Sequence, residues 1–167
     1  VLIGASAGSK ITSGSSNVII GSISGEDNTI GTSNVFVGAY SGQNNTSGYS
    51  NLFIGYGAGL NNTTGFDNVF IGQYSGFNNS VGKGNIFIGD QAGYFETGDN
   101  KLYIDNSSTT SPLIYGDMST NKVTLNDVLI LTPRNTPPAT PVEGEIYFDA
   151  SDHKLKVFDG TIWTNCN

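Results

Sequence analysis

"NVFIGQYSGFNNSVGKG" occupies Asn68–Gly84, and the chain has written almost the same words before. One copy earlier it reads "NLFIGYGAGLNNTTGFD" (Asn51–Asp67), and one before that "NVFVGAYSGQNNTSGYS" (Asn34–Ser50). The offset is seventeen residues, and it sets the columns. Asn17, Asn34, Asn51, Asn68 and Asn85 fall in one column, and Gly4, Gly21, Gly38, Gly55, Gly72 and Gly89 in another. Further glycine columns start at Gly8 and Gly14. A small-residue column runs Ala7, Ser24, Ser41, Ala58, Ser75, Ala92, and a hydroxyl column runs Thr12, Thr29, Thr46, Thr63, Ser80, Thr97. Columns that hold register over five or six copies mark a repeat architecture, in which each copy stacks on the last. Seventeen residues are too few for a helical hairpin but suit one turn of a parallel β-solenoid, or β-roll, read as two short strands and two tight corners.

Composition agrees. Glycine is 23 of 167 residues and charged residues are 13%. Abundant Asn, Ser and Thr with few helix formers favour strands and turns. The recurring Val, Ile and Phe argue against disorder, which lacks such clusters. The formal charge is −7, with seven Lys plus Arg. No basic patch can form from so few cations, so nucleic acid is not an expected partner. No apolar run approaches eighteen residues, so no membrane insertion is expected. No signal peptide is visible. Val1 enters the repeat part-way, which suggests a segment of something longer.

Within "NVFIG", alternation places Val69 and Ile71 on one face of a strand and Phe70 on the other. The expectation is that the aliphatic pair fills the core of the roll. The other face then carries Leu2, Ile19, Phe36, Phe53, Phe70, Phe87 and, after the repeat breaks, Tyr103. Such a stripe outside would need a partner. A second copy of the chain offers the same stripe in the same register, so these residues are the expected oligomer interface; the expectation is a homotrimer about one axis, with a dimer also allowed by the physics of the stripe. Asn17, Asn34, Asn51, Asn68 and Asn85 are expected to form a structural ladder, each amide bonding its neighbours up and down the stack.

The pattern N-h-h-h-G-x-x-A/S-G, present at Asn17–Gly25, Asn34–Gly42, Asn51–Gly59, Asn68–Gly76 and Asn85–Gly93, resembles the head repeats of YadA-like trimeric autotransporter adhesins. It also resembles long repeats of phage tail fibres and of large surface proteins of Bacteroidetes-type bacteria. The resemblance covers residues 1–99. It implies a parallel β-roll packed three to a bundle, extracellular or on a virion, that attaches to a host-cell or surface receptor of glycan or protein. The adhesin head repeats are shorter, and "NNTTG" (Asn61–Gly65) enlarges one corner here.

Beyond the repeat, "NKLYIDNSSTTSPLIYGDMSTNKVTLND" (Asn100–Asp127) keeps strand logic without the glycine columns. Residues 100–130 read as capping and neck strands, with Leu102 and Ile104 continuing the inner face. A solenoid end needs such a cap. "LTPRNTPPATPVEG" (Leu131–Gly144) holds four of the five prolines and reads as an extended linker. Residues 145–167 read as a terminal β-meander, with runs at Ile146–Phe148, Leu155–Phe158 and Thr161–Trp163 and a turn at Asp159-Gly160. This last segment resembles pieces common near the ends of phage tail fibres.

Candidate chemistry is sparse. His153 sits among Asp149 and Asp152, but a metal or catalytic role needs converging ligands, and calcium-loop spacing is absent. No metal, cofactor or catalytic residue is assigned, and the chain is not expected to be an enzyme. The sequons at Asn45, Asn62 and Asn106, and those at Asn44, Asn61 and Asn78, are expected to arise for structural reasons in so Asn- and Thr-rich a chain. Cys166 is a free thiol or a link between chains. The threonine column raises an ice-binding alternative, although the column two residues earlier is not uniform. Tyr40, Tyr49, Gln73, Tyr74, Phe77 and Tyr94 vary between copies, so the repeat does not dictate them, and they are the candidate surface-binding residues. The expected function is a structural fibre segment for attachment in a phage or phage-like tail fibre or spike. A bacterial surface adhesin or filament subunit is the alternative.

Overall fold

The structure is a computed structural model of the chain, described for residues 1–166. It is all-β, with no helix among the described residues and hence none long and apolar enough to cross a membrane. Two compact units divide it, Val1–Asp127 and Val128–Asn167.

The first unit is a parallel β-solenoid. Each turn contributes one short strand: β1 (Leu2–Ile3), β2 (Val18–Ile20), β3 (Val35–Val37), β4 (Leu52–Ile54), β5 (Val69–Ile71) and β6 (Ile86–Ile88). They pair parallel in chain order, so Phe36 lies on Phe53, Phe53 on Phe70 and Phe70 on Phe87. The expected second strand per turn is absent. Turns and bends take its place, yet the ladder continues through them. The N–H of Gly42 donates to the carbonyl of Ala58, that of Asn44 to Leu60, and that of Thr46 to Thr63. These segments satisfy their backbone as strands do, without the extended dihedrals.

The glycine columns explain the corners. Gly55 has φ of 136°, and a Cβ there would lie 2.4 Å from the carbonyl oxygen of Gly72 on the next turn. Gly42 has φ of 57°, and a Cβ would lie 2.9 Å from the ring of Phe36. The first column lets backbones stack, and the second makes room for the core.

That core is the Phe column. Ile19, Phe36, Phe53, Phe70 and Phe87 are fully buried. The rings stack at 5.1, 4.8 and 4.8 Å between centroids, within 15° of parallel. The small column (Ala7, Ser24, Ser41, Ala58, Ser75, Ala92) is buried beside them. The expected assignment of faces is therefore inverted: the aliphatic pair points out and the aromatic ring points in. The roll is too thin for two large side chains per turn. One ring, opposed by glycine and alanine or serine, fills it.

The Asn ladder is present and buried, but its bonds are to the backbone. Asn34 Nδ2 donates to the carbonyl of Gly48 at 2.8 Å, and its Oδ1 accepts the N–H of Asn51 at 3.0 Å. The pattern repeats at Asn17, Asn51, Asn68 and Asn85. A direct amide–amide bond occurs at Asn68 to Asn51. A second buried column, Asn28, Asn45, Asn62 and Asn79, lines the opposite segment. Asn45 donates to Asn28 Oδ1 at 3.0 Å, whereas Asn62 and Asn79 donate onward to the carbonyls of Asn79 and Glu96. "NNTTG" runs through a turn and bends, and its Asn62 and Gly65 face into the roll.

β7 (Lys101–Ile104) continues the parallel stack with one residue deleted, pairing Leu102 to Ile86. β8 (Ile114–Asp117) and β9 (Lys122–Leu125) then fold back antiparallel. Tyr103 is 6% exposed and packs edge-on against Phe87 and Tyr115, while Leu102 and Ile104 are only half-buried. The cap keeps the inverted faces, with Tyr103 inside.

The second unit is a three-stranded antiparallel meander of β10 (Ile146–Asp149), β11 (Lys154–Phe158) and β12 (Trp163–Asn165). Its small core sets Trp163 against Tyr147 and Phe158. The proline-rich segment is mostly exposed, but Arg134 bridges to Asp149, so it is not wholly unpaired.

Candidate interaction surfaces

Turning the Phe column inward leaves an aliphatic face outside. Val18, Val35, Leu52, Val69 and Ile86 form one column, and Ile20, Val37, Ile54, Ile71 and Ile88 the other. None of the ten is buried, and Ile54 and Ile88 are each 37% exposed. Of the residues expected at an oligomer interface, Ile19, Phe36, Phe53, Phe70, Phe87 and Tyr103 are interior and cannot touch a neighbour. Leu2 is 52% exposed at the first turn. Parity contained the signal. Asn34, Phe36 and Gly38 share one face of an extended segment, so a buried Asn ladder carries the Phe column in with it.

The six candidate surface residues divide between two places. Tyr40, Tyr74, Phe77 and Tyr94 lie on the segment leaving the strand, with exposed Gln73 beside them. Tyr49 lies on the segment entering it, stacked 4.7 Å from Phe66, over whose ring Lys83 sits at 5.8 Å. Tyr56 and Phe95, which the sequence reading passed over, join the first group. Tyr56 contacts Tyr40 and Tyr74, and Phe95 contacts Tyr94. Tyr56 stands one position before the Tyr40 and Tyr74 column, in the column of Gln73, so its ring is not expected beside theirs from spacing alone.

The threonine column is engaged. Thr12, Thr29, Thr46 and Thr63 each donate the hydroxyl to the carbonyl of the residue one turn on, at 3.0 Å. Such hydroxyls brace the stack, and nothing in their geometry favours an ice lattice as ligand. Asn45 and Asn62 are fully buried, which keeps those two sequons from any glycosylating enzyme in the folded chain.

The acidic residues of the terminal unit serve its turns. Asp149 accepts from the N–H and hydroxyl of Ser151 and from Tyr147, and these bonds hold its carboxyl below the usual range. Asp159 accepts the N–H groups of Ile162 and Thr161, with the same effect on its pKa. His153 is exposed in a turn with φ of 57°. Among the described residues no three His, Cys, Asp or Glu converge as metal ligands. Cys166 is exposed, with a free thiol.

No family model, curated protein or solved structure matches the chain.

Proposed function

We propose that this chain is a structural segment of a self-associating extracellular fibre that serves attachment to a surface, and that it has no catalytic role. The observation that carries the reading is the pair of part-exposed aliphatic columns running along the solenoid. A monomer in water has no use for such a stripe. Covering a half-exposed Val or Ile contributes about 1 kcal/mol, a fraction of the full burial of such a side chain. Ten of them are comparable with the roughly 4–15 kcal/mol that association costs. One or two turns would not hold a partner, but five can, which gives the repetition a purpose.

The proposed partner is the chain itself, in a bundle of three. Three parallel copies about one axis set the Val35 column of each against the Val37 column of the next. That contact is heterologous and closes into a ring. The repeat's resemblance to trimeric adhesin heads and phage fibres supports three copies, and a virion tail or a bacterial surface is the proposed setting. A tail fibre or spike is the first reading, and a surface adhesin or filament the second.

Sedimentation equilibrium tests the assembly. The native chain should sediment at three times its monomer mass. Val35→Asp with Val69→Asp should sediment as a monomer whose circular dichroism is unchanged. A native monomer at micromolar concentration, or an assembled double variant, overturns the proposal.

A further inference from the structure

The segment leaving each strand is where the repeat is least faithful. One column there reads Ile23, Tyr40, Gly57, Tyr74, Gln91, all in the left-handed region with φ of 52–62°. Glycine adopts that conformation freely, while a bulky aromatic is an outlier. Gly57 shows that the corner closes without a side chain, yet tyrosine stands at 40 and 74. Where the column offers only Gly57, Tyr56 supplies a ring from one residue earlier. Its centroid lies 5.4 Å from that of Tyr40 and 5.3 Å from that of Tyr74. The strip runs on through Phe77 at 5.5 Å, Tyr94 at 4.8 Å and Phe95 at 4.9 Å. Six rings thus form one chain of contacts over four successive turns, with Tyr74–Phe77 and Tyr94–Phe95 meeting within a turn. Tyr56 is 45% and Phe95 59% exposed.

We infer that this strip is a binding platform for an uncharged polysaccharide lying along the solenoid axis. The inference rests on the attachment reading and names its ligand class. Aromatic rings offer apolar faces to the C–H side of a sugar ring. A sugar also needs hydrogen-bond partners beside that face, and the neighbouring column supplies them. Asn44 Nδ2 donates to Asn61 at 3.0 Å, Asn61 donates to Asn78, and Gln73 and Gln91 flank the rings. Rungs about 4.8 Å apart repeat rings and amides at a distance comparable with one sugar along an extended chain. Charge selects against acidic polymers. Residues 11–82 contain neither lysine nor arginine, and Glu26 and Asp90 stand in the same segment.

Affinity electrophoresis of the native chain tests this, in gels containing β-glucan, galactomannan or dextran, with alginate as the acidic polymer. At least one neutral polymer should retard it. Tyr40→Gly with Tyr74→Gly should weaken that retardation at least tenfold while the melting temperature holds or rises, because glycine relieves the left-handed strain. Should that pair fail to fold, Tyr56→Ala with Phe95→Ala, at exposed positions off the strained column, should weaken retardation at least threefold. Retardation by none of the neutral polymers, by alginate alone, or unchanged in a folded variant overturns the inference. A chain that assembles but is not retarded loses the ligand class and keeps the fibre. A chain retarded as a monomer does the reverse.

Discussion

The two faces of a single three-residue strand behave as different proteins. In β5, Phe70 is wholly buried between the rings of Phe53 and Phe87, while Val69 and Ile71 on either side of it remain partly in water. The ring belongs to the fold and the aliphatic pair to whatever covers the sheet. Hydrophobicity alone does not separate them, since all three are apolar. Room separates them: on the inner side Gly76 and Ser75 close over the ring, while on the outer side Val69 and Ile71 keep part of their surface in water.

The largest effect should come from breaking the inner face. Phe70→Ala removes one ring from a continuous stack and should cost about 3–5 kcal/mol, read from denaturant unfolding. Phe70→Asp would bury a carboxylate without a partner and should abolish the cooperative transition altogether. A well-folded Phe70→Asp chain would show that the ring is not in the core. Gly76→Ala attacks the same face from across the roll. Its φ is 62°, and the new methyl would lie 2.4 Å from the Phe70 ring. Left-handed strain and overpacking together should cost about 2–4 kcal/mol. If Gly76→Ala melts with the native chain, the close approach of the two walls is wrong.

Val69→Asp sharpens the comparison from the other side. It lies on the same strand, one residue away, but faces water. Monomer stability should move by no more than about 1 kcal/mol, the span of strand propensity. A loss as large as that of Phe70→Ala would mean that the aliphatic face is part of the chain's own core.

The repeat, its period and its parallel stacking were legible because they are one-dimensional: columns of glycine and asparagine fix where backbones meet. The direction of the strand was harder, because "VFI" is apolar throughout and alternation defines two faces without naming the inner one. The decision lay in residues that seem unrelated, Asn68 two before the ring and Gly76 six after it. Both the buried amide and the glycine wall demand that Phe70 point in. The single strand per turn was not legible, because turn segments can carry a ladder of backbone hydrogen bonds without strand residues. The aromatic strip was half legible. Variation between copies picked out Tyr40, Tyr74, Phe77 and Tyr94, but it also picked out Tyr49, which lies on the opposite segment. Tyr56 and Phe95 became visible only through contacts.

The smallest effect concerns how the inner face ends. Tyr103 carries the aromatic column into the cap, and its hydroxyl donates to Glu96 Oε2 at 2.9 Å. Burial first, and then this bond to a carboxylate, raise the phenol well above its ordinary value of 10.0. A folded-state pKa above the unfolded one means that the folded chain holds its proton more tightly. The resulting stability is fully present below pH 10 and is lost as pH climbs from there toward the folded value. Tyr103→Phe keeps the ring against Phe87 and removes the titrating group. At pH 7 it should cost about 1 kcal/mol, the worth of one partly exposed hydrogen bond. Between pH 10 and 11.5 its denaturation midpoint should fall less steeply than that of the native chain, although Tyr56 and Tyr147, also shifted upward, keep some slope in both. Parallel curves for the two proteins would place Tyr103 in water, and the inner column would then stop at Phe87.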